Sequence, residues 1–165
     1  MLITLVGLTF IVLFMSATLS IWNGAPFVYT SKETITNIIK ISSVKKGDKV
    51  IDLGSGDGRV PLAFASKGAE VYGCETNPIL VFISRLRLRV AGQTKNSHIM
   101  LKSLWKEDLG KYDIIYVFGI KHIMPSLEKK ILKEAKPSTK IISQSYQLPT
   151  LKPTKKLKGL YLYII

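Results

Sequence analysis

The stretch VIDLGSGDGRVPLAFASKGAEVYGCETNP, residues 50–78, constrains this chain more than any other. An apolar run ends in three closely spaced glycines, a helical segment follows, and a second apolar run closes on Glu75. Glycine lets a chain turn sharply from strand to helix, because it adopts positive φ without steric cost. Two apolar runs joined by a helix form a β–α–β unit with parallel strands and a right-handed crossover. The alternation continues downstream. KVIDLG, AEVYGCE (69–75), SHIMLK (97–102), YDIIYVFG (112–119), KIISQSY (140–146) and LKGLYLYII read as six strands. Helices are expected over about 32–42, 58–67, 78–91 and 123–135 from apolar spacing and end signals. Ser31 caps the first, which carries Ile35, Ile38, Ile39 and Ser42 on one side. Asn77 and Pro78 open the third, along which Ile79, Phe82, Ile83, Leu86 and Val90 make an apolar stripe.

Strands alternating with helices imply an α/β fold: a Rossmann-like, doubly wound, mostly parallel sheet with helices on both faces. Ligands in such sheets bind at the carboxyl ends of the strands, where the glycine loop leaves the first one. The dinucleotide fingerprint is G-x-G-x-x-G, but Gly54, Gly56 and Gly58 are spaced G-x-G-x-G, with Arg59 following. The phosphate loop G-x-x-x-x-G-K-[ST] is absent. Asp52 precedes the glycines and Asp57 lies among them, poor company for a pyrophosphate at a helix N-terminus. Both suit a cation. S-adenosylmethionine carries a sulfonium and an ammonium and no phosphate, so the loop Gly54, Ser55, Gly56 and Asp57 can close over it with Asp52 near the ammonium. Glu75, at the end of the second strand, can accept both ribose hydroxyls. The competing readings are a tight turn whose glycines only permit close packing, and a nicotinamide dinucleotide site.

The charge is unevenly distributed. Residues 1–31 contain no Lys, Arg, Asp or Glu, so the whole net charge of +13 lies behind them. The basic surface suits anionic lipid, nucleic acid or an acidic protein, and its alternative is simple solvation. MLITLVGLTFIVLFMSATLSIW, residues 1–22, is long enough for one transmembrane helix, with Trp22 as an interfacial anchor. It lacks the basic start of a signal peptide and the arginines of a mitochondrial presequence. The Lys-rich flank after it places the following domain in the cytoplasm or its equivalent. A lone cysteine, Cys74, excludes an intrachain disulfide and a CxxC metal site, and reads as inert packing. His98 and His122 have no ligand-spaced partners, so no metal is expected. Arg85 and Arg89 share a helix face, for packing or lipid contact.

APFVYTSKE, VIDLGSGDGRV, CETNPILVFISRLRLR, LW followed by DLGKYDIIYVFGI, and MPSLEKKI together cover most of residues 25–135. In these stretches the chain resembles class I (seven-strand) S-adenosylmethionine methyltransferases. More narrowly, it is similar to the membrane-anchored protein-lysine methyltransferases that modify the ATP synthase c-subunit and the adenine nucleotide translocase. The resemblance implies an anchor over 1–22, a linker and lid segment over 23–45, and a cofactor-binding methyltransferase domain over 46–165. It implies that Thr30 and its aromatic neighbours lie over the cofactor, that Asp52, Gly54 and Gly56 line its methionine side, and that Glu75 holds the ribose. Trp105 is then near the adenine edge. The chain departs from the family's pattern at Tyr29 and Ser31, where prolines are usual, at Ser103, where an acidic residue usually binds the adenine amine, and in the tail after Tyr146.

The implied reaction is methyl transfer to a lysine ε-amine of a membrane or membrane-associated protein. It needs no metal. The amine must be neutral, and Tyr116, Phe118 and Gly119 after the fourth strand are candidate walls for its channel. The Asn/Asp-Pro-Pro-aromatic motif of enzymes that methylate adenine or amide nitrogens is absent from FGIKHI, and nucleic acid is not the expected partner. A small-molecule, lipid or RNA acceptor, and a non-catalytic cofactor-binding membrane scaffold, are the alternatives.

Overall fold

The computed structural model describes Gly7 and residues 28–165. The expected membrane helix over 1–22 therefore falls outside the described residues, apart from Gly7. Among the described residues, no helix is long and apolar enough to cross a membrane.

Helix α1 (Lys32–Ser42) leads into strand β1 (Lys49–Leu53), helix α2 (Arg59–Ala65), strand β2 (Glu70–Glu75) and helix α3 (Pro78–Val90). Strands β3 (Ser97–Leu101) and β4 (Ile114–Val117), helix α4 (Met124–Glu134) and strands β5 (Lys140–Gln144), β6 (Lys155–Leu157) and β7 (Leu160–Ile164) complete the chain. The strands form one sheet in the order β3-β2-β1-β4-β5-β7-β6. The first five are parallel, and β7 runs antiparallel to both its neighbours. Strand order reverses between β1 and β4, so their carboxyl ends flank a crevice.

Alternation along the strands builds two cores. Ile51, Leu53, Ile115 and Val117 pack with Met124, Leu127 and Ile131 of α4 on one face. Val50, Ile114 and Ile142 pack with Ile38 and Ile41 of α1 and Val60 and Phe64 of α2 on the other. The expected cap of α1 is present: Thr34 N–H donates to Ser31 Oγ at 3.1 Å. Asn77 Oδ1 likewise accepts from Ile79 N–H at 2.9 Å to start α3. Such caps stabilise a helix by ~1 kcal/mol each.

Two expectations need correction. The described residues form seven strands, not six: residues 155–157 pair with β7 across a tight turn at Lys158 and Gly159, both of positive φ, the signature of a two-residue hairpin. The apolar stripe of α3 does not pack. Phe82 is 67% exposed and Val90 81% exposed, and Ile79, Ile83 and Leu86 are exposed too. The helix is held by a different face, Val81, Ser84 and Leu88, against Ile99 and Leu62. The reason is the close approach of α2. A Cβ built on Gly58 would lie 2.2 Å from Ser84 Oγ and 2.9 Å from Ser84 Cα, so only glycine allows α3 to sit this low. A helix seated on a serine turns its larger side chains outward.

Candidate cofactor and substrate pocket

The carboxyl ends of β1, β2 and β4 open onto one pocket, and the glycine loop forms part of its wall. Gly54 and Ser55 N–H both donate to Cys74 O at 2.9 Å, which ties the loop to the adjoining strand. Gly54 has φ +103°, and a Cβ added there would meet nothing within 4 Å, so the backbone faces open space. Cys74 itself is buried, and burial first, then the negative charge of Glu107, pushes its thiol up to about 12. It is inert at neutral pH.

Asp52 projects from β1 into this pocket, 2% exposed, and its Oδ1 has no hydrogen-bond partner. Burial, then the charges of Glu75 and Asp57, push its carboxyl well above the usual range. Ser55 Oγ is also buried without a partner. Native interiors rarely leave such groups unmatched, because each costs ~1–3 kcal/mol. The site therefore offers an unmatched acceptor to a ligand that donates.

Glu75 Oε2 accepts from Gly56 N–H at 3.0 Å, and Oε1 from Thr76 and Asn77 N–H at 2.8 Å. A carboxylate has about four acceptor positions, so the backbone takes most of them. The expectation that Glu75 is free for two hydroxyls is revised to room for about one further donor without rearrangement.

Asp57 lines the pocket, but its carboxylate is already engaged. Arg59 Nε donates to Oδ1 at 2.9 Å and Arg87 Nη2 to Oδ2 at 2.8 Å. Burial alone would raise Asp57, but these two guanidiniums outweigh it and hold the carboxyl low. Arg59 also donates to Thr30 O at 3.1 Å and stacks 3.5 Å from the Tyr29 ring centroid. Asp57 is thus a hub joining the loop, α3 and the segment before α1. Arg59 is local to the motif; Arg87 comes from 30 residues away, and sequence spacing gives no sign of it.

Thr30, Tyr116, Phe118 and Gly119 line the same pocket. Tyr116 OH donates to Gln144 Oε1 at 2.6 Å, and burial, then the charge of Asp52, holds it as the neutral phenol. Ser103 and Trp105 do not line it; Lys102 and Leu104 do. The 3₁₀ turn Leu104–Lys106 leaves Trp105 37% exposed. Lys102 Nζ meanwhile pairs with the buried Glu107 at 2.6 Å. Among the described residues no three His, Cys, Asp or Glu side chains could hold a metal ion.

Comparison with known proteins agrees with this architecture. The family described as ANTKMT methyltransferase domain matches residues 52–155. The ATP synthase c-subunit lysine N-methyltransferase of Homo sapiens is 34% identical over 128 residues, 78% of this chain and 54% of that protein. Its Caenorhabditis elegans namesake is 36% identical over 131 residues, 75% and 68% of the two chains. The adenine nucleotide translocase lysine N-methyltransferase of Mus musculus is 33% identical over 129 residues, 78% and 56%. This chain spans about half the length of most of the curated relatives it matches. Among solved structures, an RNA methyltransferase from Salinibacter ruber in complex with S-adenosyl-L-homocysteine superposes with a TM-score of 0.79. It is 24% identical and covers 84% of this chain and 94% of its own, a likeness of fold. The sheet order, the pocket at the strand ends and these likenesses converge on a class I, Rossmann-like fold, and the chain belongs to the ANTKMT methyltransferase domain family.

Proposed function

We propose that this chain is an S-adenosylmethionine-dependent protein-lysine N-methyltransferase whose acceptor is a membrane or membrane-associated protein. The observation that carries the cofactor assignment is the buried, unpartnered Asp52 Oδ1 beside an open glycine loop. A phosphate group would be repelled there, whereas an ammonium would satisfy the orphaned acceptor. Glu75 supplies a further acceptor for a ribose hydroxyl. The residues present therefore fit the group. Thr30 and Val28 line the same pocket on the side of the lid segment. When bound, S-adenosylmethionine supplies an electrophilic methyl on its sulfonium.

The chain's own task is positioning and drying. Phe118, Ile123 and Leu104 give the pocket an apolar wall that favours the neutral form of an entering amine. Tyr116, kept neutral and bonded to Gln144, serves as wall and hydrogen-bonding group rather than as a base. Alignment of two reactants in such a site supplies up to ~7–11 kcal/mol of barrier lowering. A lysine substrate is supported by the named relatives, which are lysine methyltransferases.

Residues 1–22 act as a single-pass anchor, 23–45 as linker and lid, and 46–165 as the catalytic domain on the cytoplasmic or equivalent side. Support for the anchor is the absence of any charge in residues 1–31 and the lysines that follow. Incubating the full chain with methyl-labelled S-adenosylmethionine and membranes from cells lacking it tests the reading. Label recovered as methyl-lysine in a protein band supports it. Label in lipid or RNA alone overturns the acceptor, and calorimetry without cofactor binding overturns the site.

A further inference from the structure

The outward face of α3 is the largest feature the proposed chemistry leaves unused. Ile79, Phe82, Ile83, Leu86 and Val90 are exposed along it, and Leu101, 58% exposed, ends the neighbouring strand. Leu101 lies two residues after Ile99, which packs under α3, so it projects to the same side of the sheet. Together they expose apolar area on the order of 500 Å², as much as the largest patch on an ordinary monomer. A groove between α3 and β3, lined by Phe82, Leu86, Ile99 and Met100 among others, continues this surface.

The charges along this stretch of chain have one sign. From Pro78 to Lys106 the chain has six Lys or Arg residues and no Asp or Glu. Arg85 is spent on Ile99 O at 2.7 Å, Arg87 on Asp57 and Lys102 on Glu107. Arg89, Lys95 and Lys106 have no ion-pair partner among the described residues. An apolar helix face with unpaired cations on and after it in the chain suits a helix lying in a headgroup layer. A protein partner would have to match a row of cations with a row of carboxylates around an apolar centre. An anionic bilayer provides both at once.

We infer that α3 and the end of β3 form a bilayer-contacting face that seats the domain on anionic lipid headgroups. The inference rests on the membrane reading above and adds an orientation to it. Helix α3 begins at the edge of the sheet where the pocket opens, and Leu80 lines the pocket itself. Seating on this face brings the pocket's rim to the membrane surface, where a lysine of an embedded protein emerges.

The lone Cys74 is buried, so a cysteine introduced at the surface can be labelled selectively. Full-length Phe82→Cys, Val90→Cys and, on the opposite face of the sheet, Lys129→Cys are labelled with an environment-sensitive fluorophore. Each is mixed with phosphatidylcholine vesicles carrying brominated chains, with and without phosphatidylglycerol. Labels at 82 and 90 should shift to the blue and be quenched several-fold more than the label at 129, most strongly with phosphatidylglycerol. Adding Leu86→Glu should reduce quenching at 82. Protein that floats with neutral vesicles but shows no quenching at 82 and 90 overturns the face and leaves the anchor standing. Protein that floats only with anionic vesicles, with both labels quenched, supports the face and overturns the anchor. Blue-shifted but unquenched labels mean that protein covers the face, and overturn the inference. Flotation with neither vesicle overturns both readings.

Discussion

Asp52 should couple cofactor binding to the release of a proton. Its carboxyl is 2% exposed, has an unpartnered oxygen, and is pushed up by burial and by Glu75 and Asp57. Relative to an ordinary carboxyl, the ligand-free site shifts the balance toward the protonated form. A bound ammonium reverses the preference, because a cation at contact distance stabilises the carboxylate. The proton lost is one at most, so affinity should rise with pH by at most about tenfold per unit, and level off above the raised value. The stability of the free protein runs the opposite way. A folded value above the unfolded 3.8 favours folding below 3.8, and that contribution is lost as pH rises through the raised value. Asp52→Asn keeps the shape but removes the charge. A hydrogen bond to a charged partner contributes ~1.5–3 kcal/mol, so the variant should bind about 10- to 150-fold more weakly. Its affinity should no longer follow pH. Titration calorimetry in buffers of different ionisation enthalpy counts the proton directly. Binding by Asp52→Asn within about twofold of the parent, with the same pH slope, would refute the reasoning, a difference of only ~0.4 kcal/mol.

Gly58→Ala should destabilise the fold by about 2–5 kcal/mol in urea titration, from positive φ and from overpacking against Ser84; a loss under ~0.5 kcal/mol would show that α3 can simply shift. Arg59→Gln removes the bonds to Asp57 and Thr30, and should weaken cofactor binding on the order of tenfold while speeding hydrogen exchange in residues 28–31. Unchanged exchange there would show that other contacts hold the segment. For Glu107, burial alone would raise the carboxyl, but hydrogen bonds from Lys102, Lys111 and Tyr112 hold it down to about 2. Its stabilisation is therefore complete above the ordinary 4.5 and lost as pH falls toward 2, on the order of 3 kcal/mol. Glu107→Gln should flatten acid unfolding in that window, and an unchanged acid limb would place the loss elsewhere.

Local signals were legible in the residues and distant ones were not. The glycine loop, the caps at Ser31 and Asn77 and the buried run of β1 are each set by neighbours in sequence, and the structure has them where the patterns point. Periodicity finds the apolar stripe of α3, but it measures only that one face is apolar. Which face packs is decided by Gly58, whose missing side chain admits Ser84 from another helix. Strand β6 escapes because LysLysLeu has no alternation of its own and is a strand only by pairing with β7. In the pocket, Asp52 is legible as a buried acid at a strand end. The engagement of Asp57 is not, since Arg87 reaches it through the fold. Tyr29 and Ser31 depart from the family's prolines, yet each has a local role, one under the Arg59 guanidinium and one as a cap.

The contact between Gly58 and Ser84 also has a mechanical side. The two helices meet with no space for a single methyl group, and Arg87 crosses the same joint to hold both the carbonyl and the carboxylate of Asp57. At a joint this short, α3 cannot move toward α2 without displacing the glycine loop. A push on the outer surface of α3 therefore reaches the turn between β1 and α2, where Arg87 already holds Asp57.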